Sequence, residues 1–109
     1  MDVFCAWLES QGWSVRREEL WVDVAAGRGG DMLYAEAKGR TSEPGLDVDT
    51  LYGQLLRRMT DDNARVRYAV VVPTQATRAA LRVPAKVRQN LRIDIYEVTD
   101  DDTVRHIGP

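Results

Sequence analysis

The chain contains one cysteine, Cys5, and one histidine, His106. A lone cysteine excludes an internal disulfide framework, and the pair cannot supply the four ligands of a structural zinc site. No segment approaches the roughly 18 consecutive apolar residues of a membrane helix. The N-terminus lacks the basic start and apolar run of a signal peptide, and acidic Asp2 opens a helix-like segment instead. The expected setting is therefore soluble, reducing and cytoplasmic, with no membrane partner. Lysine is also scarce: thirteen of the fifteen bases are arginine. Arginine suits bidentate phosphate contacts, which permits a nucleic-acid partner without demonstrating one.

What is present fits one domain. A chain of 109 residues hides enough surface on folding, roughly 65% of that exposed when unfolded, to hold a core without staples. Nothing repeats, and there is no low-complexity linker. The net charge of −2 conceals an uneven distribution. Residues 94–109 carry five acids against Arg105, whereas residues 1–93 carry 14 bases and 12 acids. The expectation is a single domain over residues 1–99, followed by an acidic, solvated tail over residues 100–109. Like charges in a row at Asp100-Asp101-Asp102 are costly to bury.

Apolar spacing organises the rest. Val3, Phe4, Trp7 and Leu8 mark one face of a helix that Gly12 ends. Trp13 and Val15 alternate with polar neighbours as in a half-buried strand. Leu20 to Ala25 and Met32 to Ala37 read as two strands joined by a hairpin at Gly27-Arg28-Gly29-Gly30-Asp31. Residues 39–49, with Pro44 and Gly45, read as a loop. A helix capped by Asp49 or Thr50 is predicted to run to about Thr60 and to be closed by Asp61-Asp62-Asn63. Arg67 to Val72 is a β-branched strand, Thr74 to Leu81 and Ala85 to Leu91 are helical, and Ile93 to Val98 is a last strand. The order is α-β-β-β-α-β-α-β, an α/β fold with a mixed sheet flanked by helices.

Chemistry concentrates at the end of the third strand. In Leu33-Tyr34-Ala35-Glu36-Ala37-Lys38-Gly39, alternation places Glu36 and Lys38 on one face. Asp23 interrupts the preceding apolar strand, thirteen residues before Glu36. Hairpin pairing can set these acids side by side. Two close carboxylates raise each other's pKa unless a cation compensates, and magnesium or manganese suits such hard oxygen ligands. The alternative is a solvated strand face, with Asp23 paired to Arg40 or Arg28. Trp7, Trp13 and Trp21 read as packing anchors rather than base-stacking platforms.

Asp23, then Glu36-Ala37-Lys38, then Gln54 in the following helix resembles the PD-(D/E)xK nuclease superfamily, with Val22 in place of the signature proline. The resemblance covers nearly the entire chain. It implies a restriction endonuclease-like or Holliday-junction-resolvase-like core and a metal-dependent DNA endonuclease. Asp23, Glu36 and the Ala37 carbonyl would hold Mg2+ or Mn2+, Lys38 would serve the attacking water, and Gln54 would line the site. Glu9 on the first helix would take a further catalytic part. Arg40, Arg57 and Arg58 would contact DNA phosphates, and a homodimer would address two strands. The other reading is a non-catalytic nucleic-acid-binding or assembly module, possibly one domain of a larger enzyme.

Overall fold

The computed structural model describes residues 2–17, 22–60 and 63–108. The predicted start of the second strand at Leu20 and Trp21, and the predicted helix stop at Asp61 and Asp62, lie outside the described residues. Eleven elements follow in order among those that are described. Helix α1 (Asp2–Ser10) precedes β1 (Ser14–Arg17), β2 (Val24–Arg28) and β3 (Asp31–Ala37). Helix α2 (Pro44–Leu56) leads to β4 (Val66–Pro73). A 3-10 turn (Thr74–Ala76), α3 (Thr77–Ala80) and α4 (Ala85–Leu91) then precede β5 (Ile93–Val98) and β6 (Val104–Gly108). The six strands form one sheet in the order β1-β2-β3-β4-β5-β6. No helix among the described residues is long and apolar enough to cross a membrane.

Pairing is mixed. Strands β3, β4 and β5 are parallel, with Ala35 opposite Ala69 and Val70 opposite Ile95. The flanking pairs are antiparallel. Gly29 and Gly30 join β2 to β3 with φ of 57° and 90°, the positive values that a tight hairpin turn requires and a side chain disfavours.

Side-chain alternation divides the core in two. On one face Val48, Leu51, Tyr52 and Leu55 of α2 meet Tyr68, Val70 and Val72 of β4 and Ile93 and Ile95 of β5, with Ala76 and Ala80 closing over them. On the other, Phe4, Cys5 and Leu8 of α1 meet Val24, Ala26, Leu33, Ala35, Ala69 and Val71. The alanines there let the helix approach the sheet closely.

Several predicted boundaries move: α2 ends at Leu56 and not near Thr60, Val22 and Asp23 form a bend ahead of β2, and two further shifts have a clear physical reason. Helix α2 begins at Pro44, inside the predicted loop, because proline is well suited to the first turn of a helix, where its missing N–H is not needed. Residues 104–108 are not a solvated tail: they form β6, paired antiparallel with β5. Asp100-Asp101-Asp102 is the connecting turn, closed by Thr99 N–H to the Thr103 carbonyl at 2.9 Å. Asp102 adopts φ of 63°, which aspartate tolerates better than most residues. The chain thus ends with a strand beyond the predicted α-β-β-β-α-β-α-β order. Removing residues 100–109 is expected to uncover the β5 edge and lower the unfolding midpoint by about 10 °C or more. A midpoint unchanged in thermal unfolding would show that β6 adds nothing.

Candidate functional site at the carboxyl end of β3

Strand β3 delivers Glu36 to the α2 side of the sheet, since Leu33 and Ala35 occupy the α1 side. Asp23 lies in the bend just before β2, not within a strand. The β2–β3 register pairs Val24 with Ala35, so Asp23 and Glu36 come next in line. The Ala37 N–H donates to Asp23 Oδ2 at 2.9 Å. Glu36 is 4% exposed, and its carboxyl hydrogen-bonds that of Asp23. Burial, then the negative charge of Asp23, push the Glu36 carboxyl up to about 7, against the pull of the Arg58 guanidinium. Two like acids therefore share a site by one of them retaining a proton.

The remaining predicted residues divide. Lys38 is exposed and its Nζ sits 3.8 Å from Asp47 Oδ2 on α2. Asp47 also accepts a hydrogen bond from the Thr41 hydroxyl. Arg58 follows α2 close enough to act on Glu36, and its Nε is buried without a hydrogen-bond partner. Gln54 is half-buried one helical turn before Arg58 on α2, and Arg57 is exposed at the helix end. Arg40 pairs with Asp100 of the β5–β6 turn at 3.3 Å. Glu9 is exposed on α1, a helix packed against the sheet face opposite Glu36. The sequence thus groups Glu9 with residues that the sheet separates from it.

Lys38, Arg40, Thr99, Asp100 and Asp102 line an open cavity of about 310 Å³ at the carboxyl ends of β3, β4 and β5, which neither Asp23 nor Glu36 lines. The Asp100–Asp102 turn thus lies on the same side as Lys38. Among the described residues no three His, Cys, Asp or Glu side chains converge as a metal cluster. A hard divalent ion such as Mg2+ is commonly held by one or two carboxylates, with waters completing its shell. The chain supplies two carboxylates here, one held by a backbone amide, with a guanidinium nearby.

Several interacting residues escaped sequence reasoning. Asp94, 5% exposed at its side chain, binds Arg67 through Nε and Nη2 at 2.8 Å each and lies 3.3 Å from His106 Nε2. An acid inside the apolar run from Ile93 to Val98 was the available signal, of the kind Asp23 gives.

No protein-family model matches this chain, and no curated protein does. Solved structures do match, two of them over nearly the full length of both chains. One is an XisH family protein from Nostoc punctiforme, with 18% identity over 98% of this chain and 97% of that chain, at a TM-score of 0.69. The other is an fdxN element excision controlling factor protein from Anabaena variabilis, with 19% identity over 99% and 100%, at 0.65. The fold is therefore the mixed α/β domain of these proteins, which corrects the restriction endonuclease-like core expected from the motif. The same comparison corrects the metal-dependent endonuclease reading and with it the Holliday-junction-resolvase comparison, and the described residues hold no cluster of three His, Cys, Asp or Glu. A structural carboxyl at Glu36 makes a distinct demand. Its protonated form stabilises the fold fully below about pH 4.5, and that contribution is lost as pH rises through about 7. Glu36→Gln, whose amide can donate permanently to Asp23, should raise stability near pH 8 by on the order of 1 to 2 kcal/mol and leave it unchanged near pH 4. Denaturant unfolding across pH checks this, and a variant destabilised near pH 8 would refute it.

Proposed function

We propose that the chain is a non-catalytic regulatory module that binds nucleic acid, or assembles on it, in controlling the excision of a DNA element. The observation carrying this reading is the fold shared, over nearly the full length of both chains, with an fdxN element excision controlling factor protein. A DNA-directed role also suits a cytoplasmic protein rich in arginine.

The cations beyond β3 supply the means. Lys38 is exposed beside half-buried Asp47, and Arg40–Asp100 is a solvent-facing pair whose side chains are 70% and 81% exposed. Pairs this exposed are worth roughly 0 to 1 kcal/mol, so a phosphate can displace the carboxylate without large loss. Arg57 and Arg58 add positive charge at the far end of α2. Contacts of this type position a backbone and carry no base sequence. A second copy of the chain would extend such a track, as two-fold assemblies commonly do.

In this reading Asp100 competes with phosphate for Arg40. Asp100→Asn is expected to tighten duplex DNA binding about threefold at low salt, and Arg40→Ala to weaken it by a similar factor. Fluorescence anisotropy in EDTA measures both, and the DNA should remain intact when magnesium is added. Affinity unchanged in both variants would remove Arg40 from the interface, and metal-dependent cleavage would overturn the non-catalytic reading.

A further inference from the structure

Among the described residues, one helix of nine residues covers the α1 side of the sheet. Next to that helix is a cavity of about 390 Å³, on the face opposite Glu36. Its aromatic wall is continuous: His106 stacks on Tyr96 with centroids 4.7 Å apart and planes at 20°, and Trp7 meets Tyr96 at 5.4 Å. Trp13 lines the same cavity, with the Arg28 guanidinium 4.4 Å from its ring centroid. Arg28 is held there by a bond from Nη1 to the Gln11 carbonyl. At the floor, buried Asp94 fixes both Arg67 and His106.

We propose that this cavity receives one nucleotide of a single-stranded nucleic acid, with the base against the aromatic wall and the phosphate at Arg28. The inference rests on the nucleic-acid reading above and assigns that reading a second, separate surface. Aromatic faces accept any base, because every base has a π face, and arginine adds both phosphate contact and ring stacking. The volume lies within the range of single small-ligand sites. Two arginines against one carboxylate disfavour a cationic ligand, so the rings are not a cage for a methylated amine. A duplex hides its base faces within its own stack, so a concave aromatic wall selects an unpaired strand. Asp94 acts as a positioning residue, holding Arg67 and His106 at the wall before any ligand arrives.

The test uses the full chain, a short oligothymidylate, the same length of duplex, and thymidine monophosphate alone. Tryptophan emission should quench with the single strand and not with the duplex, and more weakly with the mononucleotide. Arg28→Gln and His106→Ala alter exposed side chains and should leave the circular dichroism spectrum unchanged. Arg28→Gln is expected to weaken single-strand binding about tenfold, and His106→Ala about 5- to 150-fold, the range of a lost stacking contact. Neither should alter duplex binding. Folded variants that bind the oligonucleotide like the wild type would overturn the proposal, as would quenching by the mononucleotide but not by the strand. Duplex binding without single-strand binding would overturn this site alone, whereas no binding of either would overturn the nucleic-acid reading as well.

Discussion

The parallel pairing of β4 with both neighbours is the constraint on which the remaining structure depends. Seven of its eight residues are buried, the exception being Arg67. A parallel neighbour requires a crossover, and crossovers are right-handed almost without exception. Steps from β3 to β4 and from β4 to β5 advance in the same direction across the sheet. Both connections therefore lie on one face, and α2 and the 3-10 turn with α3 do share a core there. The opposite face is left to α1. Its nine residues span about 14 Å at 1.5 Å per residue, whereas six strands at about 4.8 Å spacing extend to roughly 24 Å. Part of that face must remain open, and aromatic rings and arginines occupy it.

The same topology explains what was legible in the sequence. The central strands were readable because two-sided burial leaves continuous β-branched runs such as Val70-Val71-Val72. The amphipathic face of α1 was readable from Val3, Phe4, Trp7 and Leu8, of which Phe4 and Leu8 are buried, together with Cys5. Boundaries were misread where one residue type serves opposed roles. Pro44 breaks helices from within yet starts α2. Three consecutive aspartates suggest a solvated tail, but in a tight turn they remain in solvent while the chain reverses into β6. Hydropathy along the chain does not distinguish these cases, because the difference lies in the pairing partner.

The candidate site was legible in position and not in chemistry. Alternation and hairpin register place Asp23 beside Glu36 and point Lys38 the same way, and the geometry brings the two acids together. Spacing says nothing about what compensates them. Here a backbone N–H serves Asp23, protonation relieves Glu36, and Asp47 attends Lys38. Each partner comes from a crossover or an adjacent strand, and so from a pairing that a three-residue pattern does not encode.

Polar residues at the carboxyl ends of parallel strands are expected in any open α/β sheet, because the chain leaves the core there and enters a crossover. An acid and a lysine two residues apart at such an end follow from this transition as readily as from catalysis. Two close, buried carboxyls raise each other's pKa wherever no cation lies between them, in structural and catalytic pairs alike. At Glu36 the Arg58 guanidinium and a backbone hydrogen bond at Asp23 oppose this rise, and burial with the charge of Asp23 outweighs both. The acid is thus held mainly in its neutral form below about pH 7, where it hydrogen-bonds Asp23 and joins the end of β3 to the bend before β2. The segment that carries Lys38 and Arg40 to solvent begins directly after this strand end.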